Sequence, residues 1–82
     1  MAVVRLRLFA AAREAAGTSS VEVDAATVGE VLELARERFG PGFTAVLAGS
    51  RVWVDGDEPA EGDATPVTAG AEVAVLPPVS GG

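Results

Sequence analysis

Hydrophobic and polar positions alternate from the start of the chain. Val4, Leu6 and Leu8 fall on one side of residues 3–9, and Val3, Arg5, Arg7 and Phe9 on the other. A period of two predicts a strand with one buried and one mixed face. Ala10 to Ala16 is alanine-rich, is charged at Arg13 and Glu14, and ends at Gly17, which predicts a short helix closed by a glycine cap. Alternation returns where Val21 and Val23 are interleaved with Ser20, Glu22 and Asp24, predicting a second strand antiparallel to the first. The period then changes. Thr27-Val28-Gly29-Glu30 has the form of a capping box, and Val28, Val31, Leu32, Ala35 and Phe39 make one stripe at helical spacing, with Glu30, Glu33, Arg36 and Glu37 away from it. Gly40-Pro41 marks the exit, so a helix of about twelve residues is expected to lay this stripe on the Val4, Leu6, Leu8 face. Gly29 inside its first turn costs about 1 kcal/mol relative to alanine, and the pattern supplies no reason for it.

Between Gly40 and Ser50 the pattern is weak, and Phe43, Val46 and Leu47 are expected to tuck a loop or short turn under the sheet. Arg51 to Val54 predicts the third strand, and Asp55-Gly56-Asp57 a hairpin-type turn. The acidic stretch from Asp57 to Pro66 holds two prolines and predicts an exposed loop, followed by a turn at Val67 to Gly70 and a last strand from Glu72 to Leu76. The order β, short α, β, α, β, loop, β describes an α+β domain: a mixed sheet of about four strands crossed by one long helix. Residues 1–76 form the domain and residues 77–82 an extended tail. With 82 residues there is one core of modest stability, burying only about 60–65% of the unfolded surface.

The tail is the most unusual stretch. Pro77-Pro78 fixes φ twice and removes two N–H donors, so the chain leaves the sheet after Leu76 in extended or polyproline form. The six residues Pro77-Pro78-Val79-Ser80-Gly81-Gly82 reach roughly 20 Å, enough to place a carboxylate inside a pocket of another protein. Gly81 and Gly82 have no Cβ and fit a narrow channel. The residues alone also suit a frayed terminus.

The run Glu72-Val73-Ala74-Val75-Leu76-Pro77-Pro78-Val79-Ser80-Gly81-Gly82 resembles the C-terminus of the MoaD and ThiS family of ubiquitin-like sulfur carriers, and its Pro-Pro-Val-Ser-Gly-Gly ending is more similar to the MoaD branch. Val3 to Phe9 followed by Ala10 to Gly17 resembles the family's first strand and short helix. The resemblance implies a β-grasp fold with the last strand central, beside and parallel to the first. It also implies a role for Gly82, whose carboxylate would be adenylated by a MoeB- or ThiF-like adenylyltransferase using ATP, converted to a thiocarboxylate by a sulfur donor, and threaded with Gly81 into a MoaE-like large subunit of molybdopterin synthase. There the sulfur would pass to cyclic pyranopterin monophosphate. Rivals are delivery of sulfur to another pathway (thiazole, tRNA thiolation, cysteine), ubiquitin-like modification of protein lysines, and a purely noncovalent binding module.

Composition narrows the choice. The chain has no histidine and no cysteine, so it lacks the commonest general base, the commonest zinc ligands and any thiolate chemistry. This is consistent with what the resemblance implies, that catalytic side chains and ATP contacts belong to partners, and no bound metal or cofactor is expected. All six basic residues are arginines, so no lysine side chain exists to receive an isopeptide bond. A net charge of −6 disfavours nucleic acid and anionic membranes and favours a partner with a basic mouth. No apolar leader is visible and no run is long enough to span a bilayer, so cytoplasmic residence is expected.

The sheet face opposite the long helix is a second candidate surface. Arg5, Arg7 and Phe9 point there, with Trp53 and Leu76 expected to join them and Pro77, Pro78, Val79 and Ser80 carrying the contact into the tail. Arginine and tryptophan on an uncovered face suit an interface core, and equally suit arginine stems that merely shield an aromatic ring. The acidic loop with Asp55, Asp57, Glu58, Glu61 and Asp63 matches a calcium loop only at its first two positions and reads as solvated.

Overall fold

The first alternation becomes strand β1 (Ala2–Leu8), with Val4, Leu6 and Leu8 buried and Val3, Arg5 and Arg7 exposed, in a computed structural model that describes residues 2–78. Helix α1 (Ala10–Ala16) follows, and Gly17 closes it in the left-handed region at φ 77°, its N–H donating to the Arg13 carbonyl at 2.9 Å. Strand β2 (Ser20–Ala25) returns antiparallel to β1.

Helix α2 (Val28–Phe39) starts where the capping residues require. The Glu30 N–H donates to Thr27 Oγ1 at 3.2 Å, while the reciprocal bond runs one residue earlier than in a standard capping box, from the Ala26 N–H to Glu30 Oε1 at 2.7 Å. Val28, Val31, Leu32 and Ala35 are buried against the Val4, Leu6, Leu8 face, as the stripe predicts, and Phe39 at its end is partly buried.

The segment expected to be a loop or short turn is instead an eight-residue helix, α3 (Pro41–Ala48). Gly40-Pro41 ends one helix and begins the next, because a proline at the first helical position lacks only an N–H that would be unpaired there anyway. Phe43 and Leu47, four residues apart, then share the one buried face. The Phe43 ring centre lies 5.2 Å from that of Phe39, joining the two helices across the glycine. The layer on the sheet therefore holds three helices, where one long and one short helix were expected.

Strand β3 (Arg51–Val54) leads into the expected turn, with Asp55 and Gly56 at φ 49° and 87°, the two left-handed residues that a type I′ turn needs. The turn is fastened to the start of β4 (Glu72–Leu76): the Asp55 N–H donates to the Glu72 carbonyl at 2.8 Å, and the Glu72 N–H donates to Asp55 Oδ1 at 2.9 Å. The acidic stretch between them is largely exposed and contains one 3-10 turn, Gly62–Ala64. That turn explains Gly29. A Cβ added at Gly29 would lie 3.1 Å from both the Cβ and the carbonyl oxygen of Asp63, so a side chain there would press on the turn where it closes over the start of α2. Gly29→Val is accordingly expected to destabilise the fold by about 1–3 kcal/mol despite valine's better helix propensity, read as a lower urea midpoint at unchanged slope.

Strand order in the sheet is β2-β1-β4-β3, with β1 and β4 parallel and both outer pairs antiparallel. The last strand is thus central, hydrogen-bonded on both sides, and Val73 and Val75 sit in the core. Among the described residues no polar side chain is buried, and no helix is long and apolar enough to cross a membrane.

Candidate functional site

Register decides which side chains share the uncovered face. Val75 pairs with Leu8 and Val52 on the core side, so the residues between them emerge together on the opposite side. Arg5 stands between Glu22 and Glu72, Arg7 between Ser20 and Ala74, and Trp53 opposite Ala74. Arg51 stands opposite Leu76. The expected set of Arg5, Arg7, Trp53 and Leu76 is therefore brought onto one face.

Phe9 joins this face through Arg7. It caps the N-terminus of α1 in an extended conformation, is 36% exposed, and carries the Arg7 guanidinium 5.3 Å from its ring centre. Arg7 Nη1 also lies 3.7 Å from Glu72 Oε2. Both partners of this pair are about half exposed, so its worth is at most about 1 kcal/mol.

Leu76 and Pro77 are partly buried and Pro78 is exposed, so the central strand ends at the margin of this face. Val79, Ser80, Gly81 and Gly82, expected to form the rest of the tail, lie outside the described residues.

Arg51 and Glu72 are among the residues of the face that the expected set left out. Arg51 was missed although the alternation of Arg51-Val52-Trp53-Val54 puts it on the same side as Trp53. Glu72 was missed because its pairing with β1 depends on the parallel register, which local pattern does not encode. Three of the chain's six arginines thus gather on one face of an acidic protein, interleaved with Phe9 and Trp53. The guanidinium groups and aromatic rings of such a face are suited to cation–π and bidentate contacts.

A mixed four-strand sheet with its helices on one side is the β-grasp, or ubiquitin-like, fold, and comparison with known proteins agrees. The ThiS family profile matches residues 6–82. The chain is similar to the solution structure of small archaeal modifier protein 1 (SAMP1) from Methanosarcina acetivorans, at 30% identity and a TM-score of 0.88, covering 100% of this chain and 98% of that one. It is similar to SAMP1 from Haloferax volcanii at 32% identity and a TM-score of 0.83, over 98% and 99% of the two chains. It shares its fold with the protein–protein complex of subunits 1 and 2 of molybdopterin-converting factor from Helicobacter pylori, at 22% identity and a TM-score of 0.72, over 98% and 99%. No curated protein matches. The profile match over nearly the whole chain, on this sheet order, means that the chain belongs to the ThiS family of MoaD- and ThiS-like, ubiquitin-fold sulfur carriers.

Proposed function

We propose that the chain is the sulfur-carrying small subunit of a molybdopterin synthase, acting in the cytoplasm through the carboxylate of Gly82. The observation that carries this reading is the course of β4: a strand hydrogen-bonded on both sides that runs through Leu76 into Pro77-Pro78 beside the Arg7, Phe9 and Trp53 face. Such an anchor fixes where a tail begins, and the Pro-Pro-Val-Ser-Gly-Gly ending supplies its reach. A carboxylate is a poor acyl donor. Its attack on the α-phosphate of ATP releases pyrophosphate and forms an acyl adenylate, and hydrosulfide-level sulfur then displaces AMP to leave a thiocarboxylate. A partner adenylyltransferase supplies the ATP site, and a large subunit of the MoaE type supplies the pocket in which sulfur passes to the pterin precursor. The Helicobacter pylori protein, described as a complex of subunits 1 and 2, supports a large-subunit partner.

The test is the intact mass of the protein isolated from its own cells, followed by reconstitution with the large subunit. A shift equal to sulfur replacing one oxygen, mapped to Gly82, with molybdopterin formed on adding the precursor, is the expected result. A second reading, protein modifier, is favoured by the name of the two SAMP1 relatives at 30% and 32% identity. It predicts Gly82 joined to lysines of other proteins, and this chain, lacking lysine, would act only as donor through its tail.

The face is expected to bind the large subunit. Trp53→Ala should weaken the complex about tenfold or more by titration calorimetry, while the amide spectrum stays dispersed, because Trp53 lies on the uncovered side of an edge strand and outside the core.

A further inference from the structure

The far edge of the sheet carries an unused pairing site. Among the described residues strand β2 has β1 on one side and no strand on the other, the nearest backbone pairing being the bridge from Thr27 to Pro66 beyond its end. The Leu8 N–H donates to the Ser19 carbonyl, and by the two-residue alternation of an antiparallel ladder the backbone groups of Val21, Val23 and Ala25 also turn toward β1. Those of Glu22 and Asp24 therefore turn outward. Two open troughs adjoin this edge along α2. One of about 500 Å3 is lined by Glu22, Val23, Asp24, Leu34, Glu37 and Arg38, and one of about 530 Å3 continues past Leu34 to Glu30, Glu33 and Asp63. Leu34, 39% exposed, is the apolar floor common to both. The carboxylates of Glu22 and Asp24 take part in no ion pair within 4.0 Å among the described residues, although Glu22 stands directly opposite Arg5.

We propose that the β2 edge and the Leu34 trough bind an extended segment of a partner protein that alternates basic and apolar residues and adds to the sheet as a fifth strand. Pairing geometry specifies the pattern. Residues set directly opposite Glu22 and Asp24 share their face, where arginine or lysine meets an unpaired carboxylate; the residue opposite Val23 faces the helix side, where an apolar side chain covers Leu34. Main-chain bonds supply affinity, and alternate side chains supply selection. The rim bears Glu22, Asp24, Glu30, Glu33, Glu37 and Asp63 against Arg36 and Arg38, a charge balance that draws in a cationic segment and repels an acidic one. The site lies at the opposite edge of the sheet from β3, so a strand bound there leaves Trp53 and the end of β4 uncovered.

The probe is an end-blocked pentapeptide alternating valine and arginine, titrated into the isotope-labelled full chain. Amide shifts are expected to concentrate at residues 20–25 and around Leu34. Glu22→Pro removes an outward N–H together with one carboxylate and leaves the ladder to β1 intact, so it should fold yet bind roughly tenfold more weakly. The Glu22→Arg/Asp24→Arg double variant, which tests the charge pattern without touching the backbone, should lose a similar factor. Three results would overturn the proposal. One is shifts centred on Arg7 and Trp53. Another is equal binding by a valine–glutamate peptide, or by a peptide of the same composition with its arginines in one block. The third is affinity unchanged by both the proline and the charge-reversal variants.

Discussion

Replacing Gly81 with tryptophan is expected to lower sulfur transfer at least about a hundredfold while leaving the melting temperature unchanged. Two arguments combine. On the proposed mechanism the carboxylate of the next residue would meet the α-phosphate of ATP in one partner and the pterin precursor in another, and a displacement on the order of 1 Å in a reacting group costs about that factor. An indole beside it would not enter the narrow channel that the proposed mechanism requires. Stability should not change, because among the described residues the buried core lies within residues 4–75 and the sheet ends at Leu76. The measurement pairs thiocarboxylate yield, by intact mass, with a thermal melt. Deleting Gly82 should give the same pair of results. A Gly81→Trp protein that still carries and delivers sulfur would refute the tail mechanism, and one that melts early would mean that the tail contributes to the fold.

The parts of this molecule that could be read from sequence are those whose signal is local and repeated. Val4, Leu6 and Leu8 announce a buried strand face because three alternations in a row leave one period to choose, and Thr27 with Glu30 marks a helix start because each satisfies a specific unpaired N–H. Asp55-Gly56 marks its turn because few residue pairs tolerate two left-handed conformations in succession. Helix α3 escaped because its eight residues hold only two buried positions, Phe43 and Leu47, and because Gly40-Pro41 is as good a beginning as an end. Gly29 could not be understood alone, since the group that crowds a Cβ there is Asp63, brought in by the loop. For the candidate site, the face of Arg5, Arg7, Phe9 and Trp53 followed from alternation. The resemblance to a known family, borne out by the β1–β4 pairing, placed the last strand beside and parallel to the first.

Phe43→Ala should be the most destabilising single truncation in the domain, lowering stability by about 3–5 kcal/mol and the melting temperature by about 15–30 °C. Phe43 is the largest of the fully buried side chains, at 0% exposure, and the only aromatic residue in the core. Its ring meets Phe39, and its helix packs against both α1 and α2, so its removal opens a cavity where three helices meet. At roughly 0.05–0.15 kcal/mol per residue the 82-residue domain holds about 4–12 kcal/mol in all, so one truncation consumes a large share or the whole. Leu34→Ala is the control: the side chain is 39% exposed, and its loss should cost no more than about 0.5 kcal/mol. Because α3 leads directly into β3, and β3 flanks the strand from which the tail departs, the damage should reach function by a predictable route. Exchange protection should fall first in β3 and then at Val75 and Leu76, and complex formation should weaken although no residue of the open face has changed. A Phe43→Ala protein melting within a few degrees of the parent would mean that α3 is a passive connector and that the weak periodicity of residues 40–50 had reported its energetic role correctly.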